Sequence, residues 1–354
     1  MSTHVVVITG GGGVGKTTLS AAIAVGAARN GTRTCVVTVD PARRLADALG
    51  VASLGNHPTE VENQPGLWAA MLDVTASWEA MVHRHADPEV ADRLLENPFF
   101  RALADRFPAA QAYAAGEQMA EHIESQRWDL LVVDTPPAGG GIDFYTAPGR
   151  MRDLIGGRLL RWLTGASIPG RRAIYKVTAR PALKLADAVL GGPLLEEIAE
   201  FLLDLRSLYD GLSHRARAID IHLNRATSIV VTTAYPTPMR EARRFFEELP
   251  PDTSRPETVV FNKQLPPDWT DAKNLRGAEV SPQVRTAVRD NLTRWAGEVR
   301  RQHDVKQEFA TRHGLHLIDV PWADAAPTSV DALANLLAAA PGLGQHLPGV
   351  DGTT

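Results

Sequence analysis

One lysine, held between glycines and threonines, is the first place in this chain where side chains could do chemistry. Residues 10–18 read Gly10-Gly11-Gly12-Gly13-Val14-Gly15-Lys16-Thr17-Thr18, which fits the Walker A spacing Gly-x-x-x-x-Gly-Lys-Thr at every fixed position. Glycines let backbone N–H groups approach phosphate oxygens, and a helix that starts here adds its partial positive charge. Lys16 would sit on the β- and γ-phosphates, and the Thr17 hydroxyl would ligate Mg²⁺. Gly12, Gly13, Val14 and Gly15 are expected to form the cradle, with Lys16, Thr17 and Thr18 closing it. The alternative is a glycine-rich turn carrying an incidental lysine, and the flanking strand and helix patterns argue against it.

Two carboxylates stand where phosphate chemistry needs them. The apolar run Leu130-Leu131-Val132-Val133 ends in Asp134, expected to hold Mg²⁺ through a bound water. The run Cys35 to Val39 ends in Asp40, and Pro41 fixes the turn away from the sheet. Asp40 is a candidate for orienting or deprotonating an attacking water; a cap or turn carboxylate is the other reading of each acid. After Asp134, the segment Thr135-Pro136-Pro137-Ala138-Gly139-Gly140-Gly141 combines a stiff diproline with flexible glycines. It reads as a switch loop sensitive to the γ-phosphate or as a plain solvent loop. Asn262 follows the apolar run 258–261 and is expected to meet the nucleotide base. Leu265 stands where an aspartate would read guanine, so ATP is favoured over GTP.

These residues need a sheet to carry them. Apolar and β-branched runs bounded by turn signals predict strands near 4–9, 34–39, 67–73, 130–134, 228–234, 257–262 and 315–320. Helical patterns separate them, so the expected fold is α/β: a mostly parallel, doubly wound sheet. Between 141 and 225 the pattern is helical only, near 150–163, 171–190 and 193–224. The chain is thus divided into a nucleotide-binding core at 1–140 and 226–340, an inserted helical subdomain at 141–225, and a flexible tail at 341–354.

Composition narrows the class. The 354 residues carry a net charge of −4, with 44% hydrophobic and 22% charged residues, as in ordinary globular proteins. That balance gives no electrostatic footprint for nucleic acid. The single cysteine, Cys35, lies inside an apolar run and reads as a core thiol. The N-terminus runs straight into the first strand, and a cytoplasmic setting is expected.

The order of P-loop, Asp40-Pro41-Ala42-x-x-Leu45, Asp134-Thr135-x-Pro137, helical insertion and Asn262 resembles the ArsA-type anion-pump and tail-anchored-protein-targeting ATPases. These belong to the deviant-Walker-A class of P-loop NTPases that includes MinD and ParA. The likeness covers roughly 3–340 and is most specific in TVDPARRLADALG, residues 38–50. It is nearest to actinobacterial ArsA-like proteins of unknown cargo. The resemblance implies ATP and Mg²⁺ as cofactors, hydrolysis coupled to opening and closing of a dimer, Asp40 in a first switch and Asp134 opening a second. It also implies that Asn262 and the segment Pro321-Trp322-Ala323-Asp324 line the adenine pocket.

The departures are as informative. Family members carry a signature lysine, one residue after the first glycine, that reaches a partner's phosphates; Gly11 stands there. Such a cation acts like an arginine finger, worth about 10³ to 10⁵ in rate. Either hydrolysis is slow, or Arg43 or Arg44 supplies charge in cis, or a partner does. The expected assembly is therefore a homodimer or a heterodimer with a lysine-bearing ArsA-like paralogue. Arsenite capture and a zinc clamp both need cysteines this chain lacks. His83 and His85 are two apart and read as unsuited to a shared metal. Leu194, Leu195, Ile198, Leu202 and Leu205 recur at helical spacing and suit helix packing more than client binding. Membrane-surface positioning in the manner of MinD needs a basic amphipathic terminal helix, and 341–354 has no lysine or arginine.

Overall fold

The computed structural model describes residues 3–40, 42–106, 108–136, 140–156, 194–251, 253–266 and 281–345. Eight strands among them form one sheet: β1 (His4–Gly10), β2 (Thr34–Thr38), β3 (Thr59–Glu60), β4 (Leu67–Met71), β5 (Leu130–Asp134), β6 (Thr227–Thr232), β7 (Thr258–Gln264) and β8 (His316–Pro321). The spatial order is β3-β4-β2-β5-β1-β6-β7-β8, and every pairing is parallel except β3 with β4. All seven expected strands are present. Thr59 and Glu60 of β3 are exposed and polar, with too little apolar pattern to read as a strand.

Parallel strands covered on both faces lose the apolar–polar alternation of half-buried ones. Val5 to Ile8, Cys35 to Val37 and Leu130 to Val133 are accordingly buried throughout. On one face lies α1 (Lys16–Arg29), whose alanines and Gly26 bring its axis close to the strands. It packs with α2 (Arg44–Leu49), with α12 (Val330–Ala338) and with the short α13 (Pro341–Gly344). Register decides what reaches the sheet's carboxyl edge: Asp134 lies beside Ile8 on β1 and beside Thr38 on β2. Three chain segments far apart in sequence thereby end side by side, at the edge where such sheets bind ligands.

The chain divides into two compact units. The sheet unit comprises Met1–Met71, Ser125–Gly141 and Arg225–Thr354; the helical unit comprises Leu72–Glu124 and Ile142–Asn224. The helical unit is thus larger than the 141–225 insertion expected, because residues 72–124 belong to it as well. Its described helices are α3 (Val74–His85), α4 (Pro88–Glu96), α5 (Pro98–Arg106), α6 (Pro108–Glu124), α7 (Gly140–Gly156, from Ile142 on), α8 (Leu194–Ser207) and α9 (Tyr209–Arg225). Trp78 sits 5.8 Å from both Phe100 and Tyr113, joining α3, α5 and α6. Arg93 makes a bidentate pair with Asp204, and Glu117 accepts from Arg84 and Arg215, so α3, α4 and α6 are tied to α8 and α9. These contacts are why 72–124 leaves the core. Leu205 is buried, and Ile198 and Leu202 are half-buried. The expected helix at 171–190 lies outside the described residues. The expected tail begins with a helical turn, α13, whose Leu343 is fully buried; residues 346–354 lie outside the described residues.

The remaining described helices are α10 (Pro236–Glu248), after β6, and α11 (Pro282–His313), before β8. No described helix is long and apolar enough to cross a membrane.

Candidate nucleotide-binding site

Between β1 and α1 the chain turns on glycines with left-handed or otherwise restricted geometry. Gly10 has φ +145°, and a Cβ there would run into the Val231 carbonyl; Gly15 has φ +96°, and a Cβ there would strike the Asn262 amide. These are the two fixed glycines of the pattern, and each is needed for a stated contact. Gly15 is the N-cap of α1, has no side chain to cap it, and no acid occupies the first turn. The four leading N–H groups of the helix and the positive end of its dipole are therefore available to an anion.

Lys16 lies along this loop. Its ammonium donates to the carbonyls of Gly10 at 3.0 Å and Gly11 at 2.9 Å, and the residue is buried. Burial pushes its pKa down, opposed by the negative charges of Asp134, Asp40 and Glu241. A cation kept in partial dehydration near two backbone carbonyls has much to gain from phosphate oxygens.

Asp134 is the centre of the arrangement. Its Oδ2 accepts from the Thr17 hydroxyl at 2.7 Å and the Thr38 hydroxyl at 2.8 Å. Burial raises its pKa to about 6, against the opposing pull of both hydroxyls and of Lys16. Its Oδ1 is buried with no hydrogen-bond partner among the described residues. Buried polar atoms are rarely left so. A carboxylate oxygen in that state, beside the Thr17 hydroxyl and the loop, fits a hydrated Mg²⁺ that takes its remaining ligands from phosphate and water. Thr38 was not singled out from sequence. It also accepts from the Asp40 N–H at 3.2 Å, so one hydroxyl orders both acids. The Thr-x-Asp spacing at a strand end was the available signal.

Asp40 is nearly buried, with Oδ1 accepting from the Ala42 N–H at 2.9 Å and Oδ2 from Arg44 at 2.8 Å. It is therefore both the turn carboxylate and a lining residue of the cavity. Arg44 is committed to Asp40, and Arg43 donates to the Ala52 carbonyl. Arg44 also lines the cavity that the loop opens into and its charge acts on Lys16, whereas Arg43 is not among the cavity's lining residues.

A cavity of about 540 Å³ opens from the loop, within the ~300–1,000 Å³ typical of small-molecule sites. Its wall includes Gly13, Gly15, Lys16, Thr17, Thr18, Asp40, Arg44 and Thr135 around the loop, and Asn262, Lys263, Pro321, Trp322, Ala323, Pro327 and Leu336 beyond it. The cavity thus brings together the P-loop, Asp40, Asn262 and Pro321. Gly12, Val14, Asp134 and Asp324 are not in its wall: Val14 turns its side chain into the core, and Asp134 lies beneath the loop.

Asn262 differs from expectation in what its amide touches. Nδ2 donates to the Val14 carbonyl at 2.8 Å and Oδ1 accepts from the Lys263 N–H at 2.8 Å. Its first role is to fasten the end of β7 to the loop, leaving one N–H and one lone pair for anything else. Lys263, missed from sequence, adopts φ +58° and donates to the Gly13 carbonyl at 2.9 Å. Leu265 is buried.

Two further contacts were invisible in sequence. A Cβ built on Gly11 would overlap the carboxylate of Glu241 from α10. A Cβ on Gly141, in the first turn of α7, would overlap the Thr9 hydroxyl, whose oxygen is buried without a partner among the described residues. His83 is exposed on α3, whereas the His85 ring lies against Gly211.

A parallel sheet with a Walker A loop at its carboxyl edge, an uncapped helix behind it and an acid at the end of the neighbouring strand defines a P-loop NTPase. Within that class, the family model of the anion-transporting ATPases, ArsA type, matches residues 3–294, and the chain belongs to that family. It is 35% identical over 195 residues to an uncharacterized protein of Streptomyces coelicolor, covering 51% of this chain and 49% of the relative. It is 25% identical over 262 residues to the ATPase GET3 of Rhodotorula glutinis, covering 74% and 70%. A putative arsenical pump-driving ATPase of Halobacterium salinarum is 30% identical over 148 residues, 41% of this chain and 22% of that protein. The chain thus spans about half of the first relative and about a fifth of the third.

Proposed function

We propose that this ArsA-family chain binds Mg-ATP at the loop and hydrolyses it, and that its nucleotide state opens and closes a dimer and moves the helical insertion. The observation that carries the reading is the Thr17–Asp134–Thr38 hydrogen-bond set with its one buried, unpartnered carboxylate oxygen, set under an uncapped helix N-terminus. Residues 11–17 cradle the phosphates, and Lys16 leaves the Gly10 and Gly11 carbonyls for the β- and γ-phosphate oxygens. Thr17 and, through water, Asp134 would hold Mg²⁺, which when bound neutralises charge on the phosphates. Asp40 orients the attacking water and accepts its proton, as the water oxygen bonds to the γ-phosphorus, the bond to the bridging oxygen breaks and ADP departs. Arg44 holds the Asp40 carboxylate in place through its hydrogen bond to Oδ2. The base packs between Asn262, Pro321 and Trp322, and Leu265 withholds the acceptor that guanine would need. Gly141, in the first turn of α7, lies against Thr9, and the chain passes from it directly into the helical unit, which supports coupling of the γ-phosphate to that unit.

A second reading has its own observation. The residue expected to carry a cation is Gly11, with the Glu241 carboxylate in the space of its side chain. That supports a nucleotide-binding regulatory subunit with weak turnover, completed by a paralogue that supplies the lysine. Phosphate release by the purified chain, with and without such a paralogue, separates the two. Vigorous turnover by the chain alone sinks the second, and loss-free ATP binding by Lys16→Ala sinks both. The client and any membrane partner are to be sought by co-purification from the native host.

A further inference from the structure

Beside the loop, the carboxylate of Glu241, in the second turn of α10, lies over Gly11, where a Cβ would overlap it as it stands. The same Gly11 offers its carbonyl to the Lys16 ammonium at 2.9 Å. The P-loop lysine serves the β- and γ-phosphates, so its resting place on Gly10 and Gly11 lies at the phosphate end of the site. Glu241 is also one of the charges acting on Lys16. One carboxylate therefore faces both the lysine that must swing and the ground to which a third phosphate must come.

We infer that Glu241 is a selectivity residue that biases this site toward nucleoside diphosphate over triphosphate. The inference rests on the nucleotide-site reading above. A diphosphate ends short of Gly11 and feels the carboxylate weakly. A triphosphate brings its most highly charged group toward it and competes with it for Lys16. Both effects oppose triphosphate binding, and both are Coulombic, so they weaken as salt screens them. The resting protein would then be held in its diphosphate state until something neutralises or displaces Glu241. A cation from a second chain is the natural agent.

The test is equilibrium titration of the full chain with Mg-ADP and with the non-hydrolysable Mg-AMPPNP, for wild type, Glu241→Gln and Glu241→Asp, at low and high KCl. Glu241→Gln keeps the shape and removes the charge. It is expected to tighten AMPPNP roughly 3- to 10-fold, as befits one screened charge near a partly exposed site, while ADP changes less than about twofold. That gain should shrink in high salt, and Glu241→Asp should keep the wild-type preference. An equal change for both nucleotides, or weaker AMPPNP binding in Glu241→Gln, overturns the inference. A wild-type chain that binds neither nucleotide overturns the site assignment instead, which is a different result.

Discussion

Thr17 Oγ1 stands 2.7 Å from Asp134 Oδ2, and this hydrogen bond joins the first turn of α1 to the end of β5 across 117 positions of sequence. The threonine that should ligate Mg²⁺ and the acid that should hold its water are therefore in contact through one carboxylate oxygen, leaving the other without a partner among the described residues. Thr38 completes the set from β2.

Replacing Thr17 by valine removes the hydroxyl at nearly constant volume. ATP affinity measured with Mg²⁺ is expected to fall about tenfold or more, since a ligand and a charge-assisted hydrogen bond are both lost. Affinity measured in EDTA should hardly change. An equal loss in both conditions would show that Thr17 acts on the fold and not on the ion. Thr38→Val, which is not a ligand in this scheme, is expected to give a smaller loss under the same comparison.

Lys16→Ala isolates the cation. A buried ammonium that satisfies two carbonyls is a poor source of stability, because its desolvation offsets the hydrogen bonds. The melting temperature should move little, while ATP binding weakens by at least about tenfold. A large drop in stability with unchanged binding would contradict the placement of Lys16 at the phosphates.

Gly141 and Thr9 offer a double-mutant test of the start of α7. Alanine at 141 would push its methyl into the Thr9 hydroxyl, an overpacking that costs about 1–3 kcal/mol. Thr9→Ala clears that space, so the double variant should recover most of the loss. Denaturant melts of the four proteins give the coupling energy directly. Additive losses would mean that the two residues do not share the space.

Much of this was legible beforehand, for a physical reason. Strands such as Leu130 to Asp134 and the loop Gly10 to Thr18 declare themselves through local composition, since burial on both faces and close approach to phosphate each demand particular residues nearby. Contacts between distant segments do not. Nothing around Glu241 announces that its carboxylate will lie on Gly11, some 230 positions away, and nothing around Gly141 names Thr9. Residues 72–124 show the same limit at larger scale. Their helical periodicity was readable, but an amphipathic pattern does not say which body its apolar face will join. Asn262 is placed by sequence to meet a base, yet it binds the loop first, because an amide at a strand end serves either.

The helical unit carries a pH-dependent element at His85. Its ring lies against Gly211, where any side chain would collide, and its Nε2 is buried with no hydrogen-bond partner among the described residues. Burial pushes the imidazole pKa below 6.5; the positive charges of Arg84, Arg215 and His214 add to that, and Glu117 opposes it. A histidine whose folded pKa is depressed binds fewer protons in the native state than in the unfolded one. Its contribution is fully present above about pH 6.5 and is lost as pH falls through the folded value. Thermal melts between pH 7.5 and 5.5 should thus show declining stability for the wild-type chain. His4 and His313, also held low by burial, add to the decline. His85→Gln removes one titrating group and should flatten the profile relative to wild type, whatever its effect on the melting temperature at pH 7.5. Profiles that stay parallel across that window would mean that the His85 ring is hydrated and titrates alike in both states.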